Sequence, residues 1–222
     1  LWALQSLVSR AKNEGMTPEQ ASQAAAGARE QESAAIYAAY QKRLAAFNAV
    51  DFDDLIRLPL QILEGDDEAR AIWQERIRYL LLDEYQDTNT AQYRLVRALA
   101  GARGMFTAVG DDDQSIYAWR GANPENLGLL SRDYPKLKVI KREQNYRCGR
   151  RILRVANTLI ANNGHLFEKK LWSERAEGTP IRVLECKDDE HEAERVAAEI
   201  AHLAEKHKAR WNEFAILYRG NH

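Results

Sequence analysis

An α/β fold carrying a block of helices is predicted for this chain, and three features of the sequence predict it. Residues from Leu1 to about Glu64 read as helix throughout and are rich in Ala, Gln and Glu. After Gly65 the texture changes, and short apolar runs begin to alternate with amphipathic stretches of helical period. That rhythm continues to the last residues, which argues for parallel strands with helices packed on the faces of the sheet.

The elements follow in order. Thr17-Pro18-Glu19-Gln20 combines an N-cap, a proline at the first helical position and a glutamine three residues on, a capping box expected to open a long helix. A helix over DDEARAIWQERI leads into the strand YLLLD, followed by a helix through TAQYRLVRALA that ends at Gly101 and the strand MFTAV. Asn123-Pro124-Glu125 caps another helix, KLKVIK reads as a third strand and RILRVANTLIANN as the helix after it. IRVLE, a helix around HEAERVAAEIAHLAEKH and the strand FAILY complete the series. No internal repeat and no low-complexity linker interrupts it.

Composition narrows the function classes. With 222 residues and 45% hydrophobic residues, the chain can bury one or two cores at about 100–200 residues per domain. A formal net charge of -1 provides no global positive field, so any nucleic-acid contact must come from a local patch. Cys148 and Cys186 form neither a repeated spacing nor a metal-ligand cluster, and are expected to be free thiols in a reducing compartment. No apolar run approaches the ~18 residues of a membrane span, and LWALQSLVSR lacks the basic and apolar regions of a signal peptide. A cytoplasmic location without a membrane partner is expected. The chain starts at Leu1 and stops just after a strand-like run, so it is expected to be an internal fragment.

Three motifs carry chemistry. In YLLLDEYQDTN a buried strand delivers Asp83 and Glu84 at its carboxyl end, the edge where open α/β sheets bind ligands. Two adjacent carboxylates there can divide the work, one holding Mg²⁺ and the other orienting and deprotonating a water. A solvated Asp-Glu pair at a strand end is the bland alternative. Gln86 and Asp87 add polar groups able to link a nucleotide site to a neighbouring element. In AVGDDDQSIYAWRGA, Gly110 permits a tight turn and Asp111, Asp112 and Asp113 precede Gln114. Tyr117, Trp119 and Arg120 then suit a platform on which bases stack with a cation for phosphate, although aromatics two apart also alternate into cores. In KREQNYRCGRRILR six basic residues stand against Glu143 alone, and Tyr146 and Arg147 lie on the loop approaching a helix that begins near Gly149. There a ring can meet a base and a guanidinium a phosphate, although such runs are usually a solvated helix face.

These three motifs in this order resemble motifs II, III and IV of superfamily 1 helicases of the UvrD/Rep/PcrA family, nearest its Rep branch. VDFDDLI before the first motif and FAILYRGNH at the end extend the likeness over nearly the whole chain. The resemblance implies RecA-like motor domain portions plus an all-helical inserted subdomain: residues 1–64 the insertion, 65–145 the end of the first motor domain and 146–222 the start of the second. It implies ATP and Mg²⁺ as cofactors, single-stranded and forked DNA as partners, 3′-to-5′ movement, and a place in replication and repair. It further implies that Asp83 ligates Mg²⁺, that Glu84 activates the attacking water, and that Gln114 senses the γ-phosphate. Tyr117 and Trp119 would stack bases, Arg120 would hold the DNA side, Tyr146 would pack on adenine and Arg147 would reach the γ-phosphate.

Two departures touch no implied role: Cys148 stands where Ser is frequent and Arg142 where Leu is common. A third bears on activity, because the sequence contains no G-x-x-x-x-G-K-[ST] and no Gly-Lys pair at all. This chain by itself is therefore expected not to turn over ATP. Two other readings remain open at this point, the motor of a helicase–nuclease subunit and a non-catalytic DNA-binding module that has lost its phosphate loop.

Overall fold

The computed structural model describes residues 2–123, 125–164 and 166–218, with the side chains of residues 2–4 and 120 outside that description. The chain opens with four helices, α1 (Trp2–Asn13), α2 (Pro18–Ala24), α3 (Ala28–Ala46) and α4 (Asp54–Gly65). The capping box forms as expected, with the Thr17 hydroxyl accepting from the Gln20 N–H at 3.2 Å and the Gln20 carbonyl from the Thr17 N–H at 2.8 Å. The long helix does not follow. α2 stops after seven residues, because Glu30 caps a second start by accepting from the N–H groups of Ala26 and Gly27 at 2.8 and 3.3 Å. Glycine is a poor interior helix residue, and here it becomes the N-cap of α3 instead.

α1, α3 and α4 are bound together by charge rather than by grease alone. The Lys12 side chain is fully buried, its ammonium 2.6 Å from Asp51 and 3.1 Å from Asp54, and it lies over the Tyr37 and Tyr40 rings at 5.7 and 5.1 Å. Arg57 forks onto Asp54 Oδ1 through Nε at 3.0 Å and Nη2 at 2.9 Å, while Gln41 donates to Asp54 Oδ2 at 2.9 Å. Burial works against the Asp54 charge, yet the donors from Gln41, Lys12 and Arg57 hold its carboxyl below the usual range. A buried carboxylate persists only with this degree of satisfaction.

After α5 (Asp67–Arg76) come β1 (Leu80–Leu82), α6 (Thr90–Ala100), β2 (Phe106–Ala108) and α7 (Glu125–Asp133). The strands pair in parallel with Leu80 opposite Phe106 and Leu82 opposite Ala108. α6 starts at a second reciprocal cap, Asn89 with Gln92, and ends at Gly101, whose φ of +56° favours glycine. Tyr93, Val96 and Ala100 line one face of α6 and bury against Tyr85, Phe106 and Leu130. The period-two pattern of β1 sends Leu81 to the other face, where it is 80% exposed.

The α/β class is thus observed, with less strand than expected. KLKVIK, IRVLE and FAILY carry no ladder among the described residues. A strand exists by pairing, and these apolar runs meet no partner edge here: Ile140, Val183 and Leu217 stand exposed. The last part of FAILYRGNH, residues 219–222, lies outside the described residues. The helices of this half are α8 (Arg150–Ile160) and α9 (Asp189–His207), both near their expected bounds. Asn123 Oδ1 does cap α7 by accepting from the Glu125 N–H at 3.0 Å; Pro124 between them lies outside the described residues. Cys148 and Cys186 are free thiols.

Candidate active site

The functional side chains gather where β1 and β2 end. Beyond the formal strands the ladder continues, Val109 N–H donating to the Leu82 carbonyl at 2.8 Å and Tyr85 N–H to the Val109 carbonyl at 2.9 Å. Both loops therefore leave the sheet from the same edge. Asp83 and Glu84 are exposed there, and Asp83 Oδ1 accepts from the Glu84 N–H at 3.0 Å. Glu84 has φ of +50°, in the left-handed region. A residue with a Cβ held there costs on the order of 1–3 kcal/mol, a strain that clusters at functional turns.

Gln86 is the hub. It is buried, its amide nitrogen donates to Glu84 Oε2 at 2.8 Å, and its carbonyl accepts from the Asp111 N–H at 3.0 Å. Asp111 in turn accepts from Gln114 Nε2 at 2.7 Å, and Ser115 donates to the Gln86 backbone carbonyl at 3.1 Å. Glu84, Gln86, Asp111 and Gln114 are thus one continuous polar relay across the two loops. At Gly110, where a tight turn is expected, Gln86 packs closely against the backbone. The Gly110 φ is not in the left-handed region, but a Cβ there would sit 3.0 Å from Gln86 Oε1 and 3.3 Å from Gln86 N. Asp87, expected to assist at the nucleotide, has one buried oxygen without a hydrogen-bond partner.

The acidic loop is neutralised from far along the chain. Lys169 ion-pairs with Asp111, with Asp112 at 2.6 Å and with Asp113 at 3.0 Å. Burial opposes the charge on Asp111 and Asp112, but the Lys169 ammonium overcomes it and holds both carboxyls below their ordinary value. Burial likewise disfavours the lysine charge, and the three carboxylates reverse that, raising its pKa. No sequence pattern pointed to Lys169, one of two consecutive lysines.

Tyr117 and Trp119 are 38% and 69% exposed, with ring centroids 6.2 Å apart and planes tilted by 53°. Among the described residues the Trp119 ring therefore lies at the surface. The Arg120 side chain lies outside the described residues. Tyr146 and Arg147 have partners other than the carboxylate pair. Tyr146 is exposed and donates to Gln144 at 2.8 Å, beside a cavity of about 250 Å³ lined by Gln144, Asn145, Tyr146, Ser173, Glu174 and Arg175. The Arg147 N–H donates to Asn145 Oδ1 at 2.9 Å, and its side chain is exposed. The basic run is partly paired, Arg150 and Arg154 both reaching Glu177.

The donor set suits a hard cation. Asp83 is an exposed carboxylate at a strand end whose Oδ1 alone accepts a hydrogen bond among the described residues, and Glu84 is held by a single side-chain donor. The phosphate cradle that would accompany it is absent from the sequence.

These features define an α/β protein whose polar side chains meet at the carboxyl edge of a parallel sheet, the edge at which such folds carry ligands. Residues 2–135 match the UvrD/REP helicase N-terminal domain and residues 140–222 the UvrD-like helicase C-terminal domain, and the chain belongs to the UvrD/Rep helicase family. It is 55% identical over 222 residues to the ATP-dependent DNA helicase Rep of Escherichia coli K12, covering 100% of this chain and 33% of that protein. It is 48% identical over 216 residues to the Rep helicase of Buchnera aphidicola from Acyrthosiphon pisum, covering 97% and 34%. With the ATP-dependent DNA helicase PcrA of Bacillus subtilis it shares 42% over 214 residues, covering 96% and 29%. The chain spans about a third of the length of the curated relatives it matches. Among the described residues no helix is long and apolar enough to cross a membrane.

Proposed function

We propose that the full-length protein carrying this chain is an ATP-driven, 3′-to-5′ DNA helicase of the cytoplasm that moves on single-stranded DNA and opens forks. The observation that carries this reading is the relay from Glu84 through Gln86 and Asp111 to Gln114, which ties a carboxylate pair to the loop bearing the exposed Tyr117 and Trp119. The relatives' shared description as ATP-dependent DNA helicases supports it.

In this reading ATP and Mg²⁺, when bound, supply the transferable phosphoryl group and the charge that neutralises it. Asp83 would hold the cation through its carboxylate. Glu84, kept in a strained backbone conformation and oriented by Gln86, takes the proton from the attacking water. Gln86 and Asp87 brace the turn beneath them. Gln114 reports the state of the phosphate to the aromatic loop, where Tyr117 and Trp119 stack bases and Arg120 steadies the strand. Tyr146 would pack on adenine, and Arg147 would reach the phosphate as two motor domains close. We assign residues 1–64 to an inserted helical subdomain, 65–145 to the first motor domain and 146–222 to the second. The two family matches part between residues 135 and 140, which supports a break close to that one.

The test is ATP hydrolysis by the full-length protein with and without single-stranded DNA, alongside the 222-residue chain alone. The full-length protein should hydrolyse ATP in a Mg²⁺-dependent, DNA-stimulated manner and separate strands with a 3′ tail. The chain alone, without a phosphate loop, should show no turnover. DNA-independent hydrolysis, or turnover by the chain alone, would overturn this assignment.

A further inference from the structure

Residues 166–172 have no helix or strand of their own, yet they are fastened on three sides. On one side Lys169 pairs with Asp111, Asp112 and Asp113, and the Leu166 N–H donates to Asp112 Oδ2 at 2.9 Å. On the second, Lys141 donates to the Glu168 carbonyl at 2.7 Å and the Lys170 N–H to Glu143 at 2.8 Å. Trp172 bridges to Gln144 there, exchanging bonds with the Glu143 carbonyl at 3.1 Å and the Asn145 N–H at 2.7 Å. On the third, the Asn157 amide of α8 clasps the Leu171 backbone at 2.8 and 3.1 Å.

The two ends of this strap are the two halves of the proposed site. Asp111, which Lys169 holds, accepts the Gln114 side chain. Asn145, which Trp172 holds, caps the turn that carries Arg147 and Cys148, at 2.9 and 2.7 Å. The Lys169 side chain is 18% exposed and the Asp112 and Asp113 side chains 7% and 10%, so those two pairs are shielded from screening salt, while the Asp111 side chain is 33% exposed.

We infer that Lys169 is a positioning residue that anchors the 166–172 strap to the acidic loop and thereby sets Gln114 relative to Arg147. The inference rests on the helicase reading for its catalytic consequence, while the strap itself is a matter of contacts. The partners of Lys169 are the carboxylates of the acidic loop. Lys169 acts on the rate at which DNA occupancy is converted into hydrolysis, because Gln114 lies on one side of its anchor and Arg147 on the other. An arginine keeps the charge and can reach the same carboxylates, whereas an alanine removes the ammonium that three neighbouring carboxylates share.

The experiment uses the full-length protein as wild type, Lys169→Ala and Lys169→Arg, with two readouts. In DNA-stimulated hydrolysis, Lys169→Ala should lower kcat about tenfold with the ATP KM within about twofold, and Lys169→Arg should recover most of the loss. In limited proteolysis, Lys169→Ala should open cleavage within residues 164–172 while the rest of the chain stays protected. Unchanged kcat, failure of Lys169→Arg to rescue, or proportional loss of every activity with a fallen melting temperature would overturn the positioning role. Unchanged proteolysis would overturn the strap, even if the wild type proved to have no DNA-stimulated hydrolysis. That last result would defeat the helicase reading instead.

Discussion

Two regions of this molecule treat charge in opposite ways. Between α1, α3 and α4, Lys12 and Asp54 are wholly buried and every strong partner is supplied from within: Asp51, Arg57, Gln41 and two tyrosine rings. At the ends of β1 and β2, Asp83 and Glu84 stand in solvent, Glu84 in a strained conformation, with one oxygen of Asp87 left unpaired. A closed cluster, in which each buried charge meets a counter-charge and Gln41 Oε1 is left without a partner, fixes helices against each other. An open, under-satisfied one keeps its capacity for something that arrives later. Local rules obeyed in one region and broken in the other are what separates structural from functional polarity.

The largest expected effect lies in the closed cluster. Asp54→Ala removes the acceptor for three donors and leaves Lys12 and Arg57 short of a counter-charge, and should cost about 3–5 kcal/mol of unfolding free energy by chemical denaturation. A cost under about 1 kcal/mol would show that the cluster is dispensable and erase the contrast. At the open edge the effects should fall on binding and not on folding. Trp119→Ala in the full-length protein should weaken single-stranded DNA binding by about 1–3 kcal/mol while the melting temperature holds. A lost core aromatic would instead cost about 3–5 kcal/mol of stability, with both activities failing together.

The smallest effect is a pH dependence at the acidic loop. Asp111 and Asp112 are held below their ordinary value of 3.8, so their contribution is complete above that value and is lost as pH falls through the lowered ones. Lys169 is raised above its ordinary 10.5, so its contribution persists at all lower pH and fades only as pH rises through the raised value. Unfolding followed at falling pH should therefore show an acid-side loss below pH 3.8 that is shallower in Lys169→Ala, with a flat neutral plateau. Equal slopes in the two proteins would dissociate these carboxylates from Lys169.

Much of this arrangement is legible in the residues, and the failures have physical causes. α6 can be read to within a residue because its start carries a reciprocal Asn89–Gln92 cap and its end a glycine with positive φ. The Asp83-Glu84 edge and the linking role of Gln86 follow from a strand that ends in polar residues. KLKVIK and IRVLE look like strands, but pairing is a property of neighbours and not of the run itself. α2 is shorter than its capping box suggests because Gly27 and Glu30 begin a new helix before the first has gone far. Lys12 and Lys169 carry no local signal. Each is defined by carboxylates distant in sequence, Asp51 and Asp54 for one and Asp111 to Asp113 for the other, and only the fold brings them together.

The central claim is that the open edge is a site of ATP hydrolysis with Glu84 as its base, and one substitution addresses it directly. Glu84→Gln keeps the shape of the side chain but cannot accept a proton from water. Measured in the full-length protein with saturating Mg²⁺, ATP and single-stranded DNA, this variant should bind ATP as the wild type does while hydrolysis falls by roughly 10²–10⁴-fold. Hydrolysis within a few-fold of wild type would contradict the assignment and return Asp83 and Glu84 to the status of a solvated pair at a strand end.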